Sequence, residues 1–391
     1  MSARNQGGAL AGLRVVEFAA KGPVPLCGML LADMGAQVTV VGRMAGSHEP
    51  SHKSSHKPDK RYSFVERGKR MIDVDLKNPQ GVEVIRRMIA GADVVIEGFR
   101  PGVMERLGLG PERFETSNPG LVYARVTGWG QDGPLAQKAG HDINFIALTG
   151  ILSTIGSAES GPVPPLNLVA DYAGGSLYAA LGITSALLER SRSGQGQVID
   201  VAMTDGVLSL MTALLGIRAR GDWKPERGSN FLDGGAPWYG VYQCADGQYI
   251  AVGALEDGFR QAFFDTIGLT PEDIGDDEQP AGWPRLRTKV AMRIAGASRD
   301  TWMQRFSTVD ACVTAVNSLE EALEDPALAA RASFVEVDGQ RLPAVAPRLM
   351  RTPGHAGKLP LDSRVSTPGL LGDLGFEAEC IAELMQARVV R

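Results

Sequence analysis

The stretch that follows Gly12 restricts the fold more than any other. Leu13-Arg14-Val15-Val16-Glu17-Phe18 reads as a strand, Gly22-Pro23-Val24-Pro25 as a turn, residues 26–34 as a helix and residues 38–41 as a second strand. Two strands joined by a helix over so short a span pair in parallel through a right-handed crossover. The alternation continues with a strand-like run at 71–77, a helix at 79–90 and strands at 93–97 and 121–126. A turn and strand then fill 194–202, and a long apolar helix 204–218. The fold class expected is therefore α/β with a parallel sheet. Ligands of such sheets collect at the carboxyl ends of the strands, here near Lys21 and Arg43.

A chain of 391 residues exceeds the roughly 250–300 at which one core stops growing, so a second domain is expected. Composition changes at the polar stretch 221–230, and Ala245-Asp246-Gly247 between two strand-like runs is a hairpin signal. Helices are expected near 259–267, 283–295 and 301–306, and a tail rich in Pro and Gly precedes a last helix at 377–388. The division expected is a large domain at 1–225, a small α+β domain at 226–340 and a segment at 341–391 that returns to the large domain.

Several classes are disfavoured. A net charge of -5 gives no support to nucleic-acid binding. Cys27, Cys244, Cys312 and Cys380 are scattered without a Cys-x-x-Cys pair, which argues against a zinc ribbon or disulfide framework. The N-terminus has no apolar run of signal-peptide length, and no stretch of about 18 apolar residues suggests membrane insertion. A cytoplasmic protein is expected.

Chemistry concentrates in Gly140-His141-Asp142-Ile143-Asn144-Phe145 and in Asn167-Leu168-Val169-Ala170-Asp171. An imidazole and a carboxyl group on separate segments supply two opposed proton-transfer groups. Asp171 opens an expected helix at 172–189, so it reads either as that helix's N-cap or as an acid/base. Gly128-Trp129-Gly130-Gln131-Asp132-Gly133 matches a dinucleotide fingerprint, but Pro134 follows where a helix should start, and it reads as a loop. Arg67-Gly68-Lys69-Arg70 reads equally as a phosphate cradle or as a solvated basic face. His48, His52 and His56 have helical spacing but lie among Pro and Ser in the polar stretch 44–66, and a solvated loop is expected there, with no metal.

Together Arg67-Gly68-Lys69-Arg70, Phe99-Arg100-Pro101-Gly102-Val103, residues 139–144, Pro165-Leu166-Asn167-Leu168-Val169-Ala170-Asp171, residues 194–200, Leu232-Asp233-Gly234-Gly235-Ala236-Pro237 and Ala251-Val252-Gly253-Ala254-Leu255-Glu256 are far more specific than any one of them. Over nearly its whole length the chain resembles the α-methylacyl-CoA racemases of the family III CoA-transferase (CaiB/BaiF-type) superfamily. The resemblance implies an interlocked homodimer, each subunit with a large Rossmann-like and a small domain. It places the catalytic residues at His141 and Asp171, with a supporting Glu256. It places contacts to the CoA of an acyl-CoA substrate at Arg43, Asp73, Val74, Asp75, Leu76, Arg100, Gly140, Asp142, Ile143, Asn144 and Phe145. CoA enters as part of the substrate, and no separate cofactor or metal is expected. Departures from the family pattern are the long 44–66 stretch, Phe145 in place of tyrosine and Ala315 in place of proline.

The implied reaction inverts a stereocentre by 1,1-proton transfer through an enolate, with one acid/base on each face of the flattened carbon. His141 and Asp171 would alternate as base and conjugate acid, Glu256 would orient His141, and amides of a turn at 171–175 would hold the thioester oxygen. The alternative is a CoA-transferase of the same fold in which Asp171 attacks the thioester and forms an aspartyl anhydride. A CoA-binding protein without catalysis is a third reading. His141 separates these, because transferases of the superfamily generally lack it.

Overall fold

A computed structural model describes residues 7–44, 63–360 and 363–391. These residues divide into two compact units. The first comprises the described residues within Met1–Ile146, Leu166–Leu210 and Ala327–Arg391, and the second Ala147–Pro165 and Met211–Pro326.

In the first unit, strands β1 (Arg14–Phe18), β2 (Gln37–Arg43), β3 (Arg70–Val74), β4 (Val94–Glu97), β5 (Val122–Thr127) and β6 (Val198–Ala202) form one parallel sheet among the described residues, in the order β3-β2-β1-β4-β5-β6. That is the order of the doubly wound dinucleotide-binding fold. Apolar residues fill both faces, as a sheet covered twice requires. On one side Val16, Phe18, Val41, Ile72, Val95 and Tyr123 pack against helix α2 (Pro79–Ala90) and the last helices of the chain. On the other, Val15, Val38, Val94, Ile96 and Ala124 pack against α1 (Pro23–Asp33) and a long helix that ends at Ser193.

Helix α1 begins three residues before the expected start. Gly22 is its N-cap with φ 72, and Pro23 takes the first helical position. A proline there gives up no intrahelical bond, because the first amides of a helix have no acceptor anyway. The chain ends on the same unit: Val390 bridges to Val74, and the Arg391 guanidinium pairs with Asp73 at 2.5 Å.

In the second unit, β7 (Tyr239–Gln243), β8 (Tyr249–Gly253) and β9 (Val313–Ala315) form an antiparallel sheet among the described residues. The expected Asp246-Gly247 hairpin joins the first two, with Gly247 at φ 79. Trp238, Phe263, Phe264, Trp283, Leu286 and Trp302 form its core. No helix of the described residues is long and apolar enough to cross a membrane. The histidines at 48, 52 and 56 lie outside the described residues.

Candidate active site

The strand order reverses between β1 and β4, and a cavity of about 390 Å³ opens beyond their carboxyl ends. Lys21 and Gly22 line it after β1, Phe99 and Arg100 after β4, and Gly128 and Trp129 after β5. Gly140, His141, Phe145, Asp171 and Met203 complete the wall. The cavity thus lies where doubly wound folds hold their ligands.

His141 and Asp171 come together in this cavity. His141 directly precedes helix Asp142–Leu148, and its backbone N–H donates to Oδ1 of Asn144 at 3.1 Å, which fixes the turn that carries the imidazole. Asp171 is not an N-cap. A ten-residue π-helix, Leu168–Leu177, runs into the α-helix Tyr178–Ser193 and places Asp171 inside it. Such wide turns are rare and concentrate at functional sites. Close packing stands behind this one: a Cβ on Gly175 would sit 2.8 Å from Pro23, and one on Gly174 3.0 Å from the Met203 carbonyl.

The Asp171 carboxyl is half-buried and accepts from the Asn167 side-chain amide at 3.3 Å. Burial holds its pKa above the ordinary aspartate value, the Asn167 amide opposes that, the Asp142 charge adds to it and His141 opposes it. His141 thus stands near enough to act on the Asp171 carboxyl electrostatically. The expected amide cradle at 171–175 is overturned. Those residues are helical, and the Asp171 N–H is already given to Oδ2 of Asp142 at 2.8 Å.

Phe145 has a packing role that explains two glycines. Its ring meets Trp129 edge-on, with centroids 4.7 Å apart, and a Cβ on Gly128 or Gly140 would fall 2.1 or 2.7 Å from Cε1 of the ring. The glycine-rich run at 128–133 is a loop, as expected, and the next helix starts only at Asp142.

Other expected contacts do not line this cavity. Arg43 ends β2 and does not line the cavity. Asp73 and Val74 are buried beneath the chain terminus, Asp75 and Leu76 follow half-buried, and none of the four lines the cavity. Ile143 and Asn144 are exposed on the helix after His141. Glu256 belongs to the second unit, exposed at the N-cap of helix Asp257–Ile267.

The basic run 67–70 matches neither of its expected readings at its two buried members. Arg67 pairs with Asp33 at 2.6 Å, and Lys69 with Glu17 at 2.9 Å and Glu66 at 2.9 Å, all inside the first unit. Both cations serve carboxylates of the chain itself. Conversely, Gly22, Asn167, Trp129, Lys138 and Met203 stand at the site without having been singled out for it. Only the Gly-Pro pair at 22–23 carried a signal, since a glycine before a helix-starting proline marks a special backbone position.

The model of CoA-transferase family III matches residues 10–368. The chain belongs to that family. Among family members, the α-methylacyl-CoA racemase of Mus musculus is 45% identical over 384 residues, covering 97% of each chain. The Homo sapiens α-methylacyl-CoA racemase is 40% identical over 98% of this chain and 97% of its own. The crystal structure of a CaiB/BaiF family protein from Brucella suis superimposes with a TM-score of 0.78 at 25% identity, over 94% of this chain and all of that one. The family III relatives also include a succinyl-CoA–D-citramalate CoA-transferase of Chloroflexus aurantiacus, 32% identical over 90% of this chain and 91% of its own.

Proposed function

We propose that this protein interconverts the (2R) and (2S) forms of 2-methylacyl-CoA thioesters. The observation that carries the reading is the meeting of His141 and Asp171 in one cavity at the carboxyl ends of β1, β4 and β5, in a chain 40–45% identical to two α-methylacyl-CoA racemases.

The α-proton of a thioester is a weak acid, so its removal needs a base held against it and stabilisation of the enolate that forms. Either residue can begin. Asp171 as carboxylate takes the proton from one face, and a protonated His141 returns one to the other; the reverse direction exchanges the roles. A carboxyl held above its ordinary pKa suits this alternation, because its carboxylate is a stronger base than that of a fully exposed aspartate and its proton affinity moves toward the working range of a general acid/base. Each step moves one proton and leaves the oxidation state of the substrate unchanged, so the chemistry asks for no redox group.

Arg100 and Lys138 on the cavity wall suit the phosphorylated CoA portion. Leu177, Leu181 and Leu188, exposed at 52%, 59% and 60% along one helical stretch, suit the homodimer expected from sequence. A cytoplasmic location is part of the same proposal.

The test is incubation of each 2-methylacyl-CoA enantiomer in deuterated water. Inversion with deuterium gained at carbon 2 supports the reading. Transfer of CoA to an added carboxylate without exchange selects the transferase alternative, with Asp171 as nucleophile.

A further inference from the structure

One carboxylate joins the two segments that carry the proposed acid/base pair. Asp142 follows His141 directly, is 4% exposed, and turns its side chain onto a stretch almost thirty residues further along the chain. Its Oδ2 accepts the N–H of Ala170 at 2.7 Å and that of Asp171 at 2.8 Å. These are the third and fourth residues of the π-helix, whose amides have no carbonyl a turn behind them. Asp142 therefore caps from outside the very helix that presents Asp171. Its other oxygen, Oδ1, is buried and has no hydrogen-bond partner among the described residues.

We infer that Asp142 is a positioning residue that fixes the gap between His141 and Asp171 and supplies a negative charge behind the latter. The inference rests on the proton-transfer reading above. The two N–H hydrogen bonds to Asp142 set where the Asp171 backbone lies relative to the turn bearing His141. A shift of about 1 Å between such groups costs on the order of 10²-fold in rate. Asp142 also acts on Asp171: a like charge beside a carboxyl raises its proton affinity, and Asp142 contributes to Asp171 in that direction. The other groups facing the Asp171 carboxyl are the Asn167 amide, His141 and the backbone of Gly22. Lys21, Arg100 and Lys138 are the further charged side chains on the cavity wall.

Two variants separate the tether from the charge. Asp142→Asn keeps an oxygen for both amides and removes the charge; Asp142→Ala removes both. The Asp171 carboxyl is followed by 13C NMR of the ligand-free, aspartate-labelled protein, assigned by difference against Asp171→Asn, and exchange kinetics are measured alongside. In Asp142→Asn the Asp171 carboxyl should titrate at lower pH than in the parent. In Asp142→Ala kcat should fall by about 10²-fold with KM within about threefold, since the Asp142 side chain, although expected from sequence among the CoA contacts, is buried and does not line the cavity. An Asp171 titration that stays in place or moves up in Asp142→Asn overturns the inference, as does an Asp142→Ala protein with kcat within about twofold of the parent. If Asp142→Ala does not fold, the Asn titration still decides. A parent protein without any α-proton exchange would sink the racemase reading alone, and the NMR arm would still judge the role of Asp142.

Discussion

Gly22 lies against the carboxyl of Asp171: a Cβ at Gly22 would sit 2.8 Å from Oδ2 of Asp171. With φ 72 and ψ -117, Gly22 also occupies backbone space that other residues enter at a cost. Gly22→Ala should therefore lose about 1–3 kcal/mol of stability and displace Asp171, lowering kcat on the order of 10²-fold. Thermal unfolding and exchange kinetics check the two effects separately.

The raised proton affinity of Asp171 sets the acid side of the rate profile. In the direction that uses it as base, Asp171 must be ionised, and its folded carboxyl keeps its proton to a higher pH than the ordinary value of 3.8. The acid limb of kcat/KM in that direction should thus lie above 3.8, with activity lost as pH falls through the raised value. Asn167→Ala removes a hydrogen bond that favours the carboxylate, so the limb should move further up. A downward move would contradict this assignment.

Phe145 leaves no room for side chains at its glycine neighbours. Gly128→Ala would place a methyl group 2.1 Å from the ring and should destabilise the protein by about 1–3 kcal/mol, as overpacking does. Its displaced ring should also perturb the cavity wall, read as a raised KM.

Lys69 favours the ionised form of a buried acid. Glu17 is fully buried, and burial lifts its pKa to about 8 in spite of the opposing Lys69 charge. The folded state thus holds a proton that the unfolded chain releases near 4.5, and this group's contribution falls as pH rises from about 4.5 to about 8. Lys69→Met removes the charge that lowers this pKa, so the loss should continue above 8 instead of levelling off. The variant should be less stable by about 3–5 kcal/mol at alkaline pH and much nearer the parent at pH 5–6. Denaturant unfolding across pH measures this; a deficit independent of pH would contradict it.

The parallel sheet was legible because β1, β2 and β4 are short apolar runs set between helical patterns, which few folds accommodate other than as buried parallel strands. The His141–Asp171 neighbourhood was legible only through motifs, since nothing in periodicity brings residues thirty apart to one cavity. The π-helix was not legible. It arises where Gly174 and Gly175 meet Met203 and Pro23, contacts that exist only in the folded chain. The run at 67–70 misled for a related reason: its charges resemble a phosphate cradle, but the acids that take them, Asp33 and Glu17, are distant in sequence. Spacing reveals a charge and conceals its partner.

The most direct test of the central claim follows the α-proton face by face in single-residue variants. With two bases on opposite sides, His141→Ala retains only the base of one face and Asp171→Asn only that of the other. In deuterated water each variant should then exchange the α-proton of one 2-methylacyl-CoA enantiomer without inverting it, and the two variants should prefer opposite enantiomers. Retained inversion in either variant, or the same enantiomer exchanged by both, would contradict the account.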